Sequence, residues 1–184
     1  MNPVPLIALW LALGQPPIDL SEWTMEDQFG RSTRLGVHAG NVVVILYGDR
    51  GGADANKHLG EQFHVAFHPS ARGLPPAKAR EAPVRPVPGK ERSPDVRLIP
   101  AASLGTVPTM LRSLIRAQFR GASPDLPVWL DWQDVLKKQF SLAPGVPNVL
   151  ILDTKGRVRY TFSGGVDPEK VKELTGVIET LRRE

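Results

Sequence analysis

Apolar and polar positions alternate, cluster and recur along this chain in patterns that separate strands from helices. Val42–Tyr47 is a continuous aliphatic and β-branched run, the mark of a strand covered on both faces. Upstream, Trp23–Leu35 alternates loosely around Asp27-Gln28-Phe29-Gly30-Arg31, which predicts a small hairpin. Downstream, Leu59, Phe63, Ala66 and Phe67 recur at helical spacing, with Asp54 as the expected N-cap and Pro69 as the stop. Asp95–Ala101 predicts a short strand. Thr106 and Pro108 then open a helix whose Leu111, Leu114, Ile115 and Phe119 line one face, expected to be buried. Val128–Leu130 predicts another short strand, and Asp131 caps a helix carrying Val135, Leu136 and Phe140. The stretch PGVPNVLILDTKGRVRYTFSGG gives a buried strand, a turn at Asp153–Gly156 and a returning strand. Asp167-Pro168 starts the last helix, with Val171, Leu174, Ile178 and Leu181 inward. Strand–helix units ending in a hairpin and helix predict an α/β fold, a mixed central sheet with helices on both faces.

Composition changes this picture in three places. From Ser70 to Pro94, prolines and basic residues replace large apolar ones, so this stretch is expected to be a surface insertion. At the N-terminus, Val4–Leu13 is too short to span a bilayer but suits the core of a signal peptide, with small residues at Ala12 and Gly14. Cleavage after residue 14 would leave an exported domain over 22–184, periplasmic or secreted; an uncleaved run packed on the domain would leave it cytoplasmic. Finally, the 184 residues contain no cysteine, which excludes disulfides, thiolate catalysis and cysteine metal sites.

Three segments together, WTMEDQFGRSTRL, NVVVILYGDRGGADANKH and GVPNVLILDTKGRVRYTFSGGVDPEKVKEL, resemble the redoxin branch of the thioredoxin fold. That branch holds peroxiredoxins and exported thiol-disulfide oxidoreductases. The resemblance implies a thioredoxin-like fold with 70–94 as an added insertion, and a cis bond at Val146–Pro147 facing the redox loop. It places Gly51 where the attacking cysteine stands in the family and Asp54 where the resolving one stands. Neither residue can form a thiolate, so redoxin chemistry is lost. The resemblance further implies a groove at Arg50, Gly52, Val146 and Pro147, which in the family receives an extended peptide by backbone pairing.

Other chemistry is thinner. Asp49, Asp131 and Asp153 fall at or near strand ends, where open sheets gather ligands, but Asp131 also suits a helix cap and Asp153 a hairpin turn. Glu61, His64 and His68 share one flank of the first helix, a weak metal-ligand set without the inner glutamate of a zincin motif. Arg112, Arg116 and Arg120 form a stripe on a helix with no acid, which suits either hydration and pairing with carboxylates of a neighbouring element or contact with an acidic protein surface, lipid headgroups or phosphate, and Trp132 beside Asp131 is a candidate exposed contact. Trp129 is expected in the core. No nucleic-acid motif is present and no cofactor is implied. The expectation is a redox-inactive, exported protein that binds a partner protein through the proline groove. The alternatives are a metal- or carboxylate-dependent hydrolase or transferase using Asp49, Asp54 and His58, and an assembly role for the insertion and arginine stripe.

Overall fold

The structure, a computed structural model, describes residues 17–184. The expected signal segment, residues 1–14, lies outside them. A two-stranded hairpin comes first, β1 (Thr24–Glu26) and β2 (Ser32–Arg34). Its turn is held by Asp27, whose Oδ1 accepts from the N–H groups of Phe29 and Arg31 at 2.8 and 3.0 Å. Then follow β3 (Val42–Gly48), α1 (Ala53–Phe67) and a short helix α2 (Pro76–Ala79). The second half contains β4 (Val96–Ser103), α3 (Thr109–Ala122), β5 (Trp129–Asp131) and α4 (Val135–Phe140). It closes with β6 (Asn148–Leu152), β7 (Val158–Ser163) and α5 (Pro168–Arg183).

The five-stranded sheet has the order β5-β4-β3-β6-β7. β3 is parallel to β4, and β4 to β5, while β6 runs antiparallel to both β3 and β7. β3 sits at the centre with all seven residues buried, as its unbroken apolar run requires. One face of the sheet, through Val44, Leu46 and Val149, packs on Leu59 and Phe63 of α1 and on Leu174 and Ile178 of α5. The other face, through Val43, Ile45 and Leu150, is covered by Leu20, Met25 and Leu35 from the N-terminal hairpin region and by Leu136 of α4. Burying one such side chain contributes roughly 1.5–3 kcal/mol, so these two layers hold the domain together.

The 70–94 stretch is mostly exposed but firmly attached, which its composition did not announce. Ala71 and Val87 are buried, and Val84 packs against the helical layer. Arg182 of α5, fully buried, donates from Nε to Pro94 O at 2.9 Å and from Nη2 to Arg85 O. Its charge is balanced by Glu179 at 3.0 Å.

Candidate functional site

β3 delivers the chain to the turn Asp49–Gly52, the place of a redox loop. The Asp49 carboxylate organises it. Oδ1 accepts from the N–H groups of Gly51 (2.9 Å) and Gly52 (3.3 Å), and Oδ2 accepts from the N–H of Gly145 (2.9 Å) on the facing loop. The Gly145 donation, ahead of the others, holds the Asp49 carboxyl below the usual carboxylate range against the opposing effect of burial. Asp54, expected to cap α1, does not do so. The helix starts two residues earlier, with Gly52 as N-cap and no side-chain cap, and Asp54 lies exposed in the first turn. There it still favours the helix dipole, but Asp49 has already taken the turn amides.

The two loops touch closely, and at position 52 a side chain is excluded. A Cβ on Gly52 would lie 2.6 Å from Val146 O and 2.7 Å from its carbonyl carbon. One on Gly51 would lie 3.0 Å from the Cα of Gly145. Position 52 is therefore closed by backbone, while the exposed Gly51 could take a side chain only if Gly145 gave by a few tenths of an ångström.

The expected cis bond is corrected by the structure: no cis peptide occurs among the described residues, and Val146–Pro147 is trans. Trans is the favoured isomer by about 0.5–1 kcal/mol even before proline. Here the loop is shaped instead by Gly145 at φ 74° and by the buried Asn148 amide. Asn148 Nδ2 donates to Val146 O and Ala143 O, both at 3.0 Å, and to Tyr47 O at 3.2 Å.

The strand-end aspartates do not converge. Asp131 is a cap, as one reading of it held: Oδ1 accepts from Val135 N–H at 2.8 Å and Oδ2 from Leu136 N–H at 2.9 Å. Asp153 is a hairpin residue, accepting from the N–H groups of Lys155 (2.9 Å) and Arg157 (3.1 Å), with Arg157 Nε on Oδ2 at 2.8 Å. Because β6 is antiparallel to β3, Asp153 lies at the opposite end of the sheet from Asp49.

Near Asp131 sits a group that the sequence reading missed. Asp134 adopts a left-handed backbone, φ 53°, and its Oδ1 accepts from Ser103 Oγ at 2.7 Å and Gly105 N–H at 3.0 Å. Tyr47 donates its hydroxyl to Asp131 Oδ2 at 3.1 Å. Burial first, then the two carboxylates, pushes the Tyr47 phenol above its usual range. Burial would raise Asp134 too, but Ser103, Gly105 and Lys137 hold it low. An aspartate three residues after a cap, at a loop-to-helix junction, was the available signal, since Asp tolerates this backbone better than most residues. The network ties the β4 end to α4 and satisfies itself.

Nor do the histidines make a metal site. His64 and His68 stack with ring centroids 4.6 Å apart, yet His64 Nε2 meets Ala79 O at 2.9 Å and His68 Nε2 meets Asp95 Oδ1 at 2.7 Å. Burial draws His64 below its usual range. Glu61 lies apart, exposed along a shallow groove with His58, Gln62 and Arg72. His58 pairs with Gln62 at 2.8 Å. Among the described residues no three His, Asp or Glu side chains come together as a ligand set.

Two arginines of the stripe meet the domain's own groups, one of them a carboxylate of a neighbouring element, as one reading of the stripe held. Arg112 and Arg116 lie 5.1 and 5.4 Å from the ring centre of Trp132, which is buried and not an exposed contact. Arg116 pairs with Glu26, and Arg120 Nη1 donates to Gln28 O at 3.0 Å. Gln28 and Glu26 present oxygen to this helix, and cations answer it. Trp129 is in the core as expected.

No protein-family model matches the sequence, and no curated protein matches it. Solved structures do. A secreted thiol-disulfide isomerase from Corynebacterium glutamicum is similar over 93% of this chain and 94% of its own, at 14% identity and TM-score 0.56. The pneumococcal exposed lipoprotein thioredoxin Etrx1 from Streptococcus pneumoniae is similar over 84% and 98%, at 15% identity and TM-score 0.55. A further thiol-disulfide isomerase from Corynebacterium glutamicum is similar over 93% and 98%, at 20% identity and TM-score 0.52. Likeness at these identities fixes the fold. With its sheet order, its helices on both faces and a chain without cysteine, the protein has a thioredoxin-like fold in a redox-inactive form.

Proposed function

We propose that the protein is exported and acts as a non-catalytic binding module, taking an extended segment of a partner protein along the ledge of Arg50–Gly52 and Val146–Pro147. The observation that carries this is the Asp49 staple, which joins the two loops through Gly145 and leaves Arg50, Gly51 and Gly145 exposed on one rim. A ledge already rigid before binding loses little entropy when a partner segment settles on it. Export is supported by the apolar Val4–Leu13 run and by the words "secreted" and "exposed lipoprotein" in the names of similar structures.

The test is photo-crosslinking in cells that export the full chain, with a benzoyl-phenylalanine at Arg50 and, as control, at the exposed Leu74. One discrete adduct from position 50, absent from position 74, found outside the cytoplasm and insensitive to reductant, is the expected result. The same adducts at both positions, or none at 50, would overturn the ledge as a binding site.

A further inference from the structure

His64 and His68 stand one turn apart at the end of α1, and their ring nitrogens are used differently. His68 is buried. Its Nδ1 lies 3.2 Å from His64 O and its Nε2 lies 2.7 Å from Asp95 Oδ1. A carbonyl and a carboxylate only accept, so His68 satisfies both by holding a proton on each nitrogen. It is thereby a buried imidazolium with Asp95 as its counter-charge. Burial would raise Asp95, but His68 and then Arg97, at 2.9 Å, hold it below its usual range and ionised.

His64 needs only one proton. Its Nε2 donates to Ala79 O of α2 at 2.9 Å, and its ring stacks on His68 with centroids 4.6 Å apart and planes at 25°. No carboxylate pairs with His64 among the described residues. A second proton, on Nδ1, would therefore set cation against cation in a half-buried stack. Burial is the first cause that draws His64 down and the His68 charge adds to it, while Ala79 O and Asp95 oppose them. The other charges around this turn are satisfied elsewhere. Arg85 and Arg182 lie over the neighbouring Phe67 ring and both pair with Glu179, and Glu61 and Lys78 are exposed.

The two halves of the 70–94 stretch are held by different chemistry. The second half is fixed by a permanent charge, since Arg182 binds Arg85 O and Pro94 O, and Val87 is buried beside them in sequence. The first half, around α2, is held to α1 by the bond from His64 to Ala79, with a surface contact from Arg80 to Asp125 O. We propose that His64 and His68 form an acid-released clasp. With His64 neutral, α2 is held on α1; protonation of His64 against the His68 imidazolium drives the rings apart and frees residues 72–82, while 84–94 stays in place. A folded value below the ordinary 6.5 means that the clasp is full above 6.5 and is lost as pH falls through the lower folded value.

The chain has no cysteine, so single nitroxide labels report on each half of the stretch. Lys78→Cys, exposed on α2, should become mobile as the full chain is taken from about pH 8 to about pH 5, with a midpoint below 6.5. Glu91→Cys, exposed in the half tied by Arg182, should not change. His64→Gln keeps an N–H donor for Ala79 O but takes no proton, and should hold the label at position 78 ordered throughout. Nitrogen-15 spectra at about pH 7 should show His68 protonated on both ring nitrogens and His64 on Nε2 alone. Independently, His68→Gln removes the stacked cation and should move the His64 titration upward. A label at 78 that ignores pH, one that responds equally in His64→Gln, a singly protonated His68, or an unmoved His64 midpoint in His68→Gln overturns the proposal.

Discussion

α5 and α3 are two amphipathic helices of similar length, 16 and 14 residues, with opposite relations to the domain. α5 turns its apolar side to the sheet, burying Leu174, Ile178 and Leu181, and even its buried Arg182 is fully paired. α3 turns Arg112 and Arg116 to the domain, beside the half-buried Ile115 and Phe119, and its leucines to solvent. The difference lies in what each helix meets. α5 faces the aliphatic side chains of Val149 and Ile151 of the sheet. α3 faces the Trp132 ring, the Glu26 carboxylate and the backbone around Gln28, which accept cations and reward no leucine. Amphipathicity says that a helix has two faces. The neighbour decides which one turns in.

Removing Arg182 should break that contrast most severely. Arg182→Ala strips a buried cation from Pro94 O, Arg85 O and Glu179, and is expected to cost about 3–5 kcal/mol in denaturant unfolding. Arg112→Ala on α3, which removes a cation resting on Trp132 alone, should cost about 1 kcal/mol.

A pH titration sharpens the comparison next. Burial would raise Glu179, but Arg183, Arg182 and Arg85 prevail and hold it below the ordinary 4.5. A depressed folded value means that its contribution is full above 4.5 and is lost as pH falls through the lower folded value. Glu179→Gln should therefore flatten the acid limb of stability measured by urea midpoints. An unaltered limb would show that α5 draws nothing from this carboxylate.

The smallest effect belongs to α3's exposed ridge. Leu114→Ala should change stability by no more than about 0.5 kcal/mol. Ile178→Ala, of similar chemistry on α5, should cost about 2–5 kcal/mol through the cavity it leaves. Equal losses at the two positions would mean that α3 is packed after all.

Much of the frame could be read before any coordinates. Val42–Tyr47 predicted a central strand, Asp27 and Asp153 predicted hairpin turns, and Asp167-Pro168 predicted the start of α5, whose Asp167 accepts from Lys170 N–H at 2.7 Å. These signals are local: a run, a turn residue, a cap. The site was less legible because its contacts cross the chain. Asp49 reaches Gly145, Tyr47 reaches Asp131, and Arg182 reaches Pro94, and no periodicity reports pairs so far apart. Asp54 was expected as the cap for the same reason: the nearer candidate is visible in sequence, while the one that organises the turn depends on the facing loop.

By itself, then, the sequence determined the elements, their order and the absence of thiol chemistry, because dihedral preference, burial period and the presence of sulfur are properties of residues. Tertiary structure alone decided that Val146–Pro147 is trans, that Gly52 is pressed on Val146, that Pro94 is tied down by Arg182 and that α3 faces outward. Each of those depends on which surface another part of the chain presents, and only the folded arrangement brings the two surfaces together.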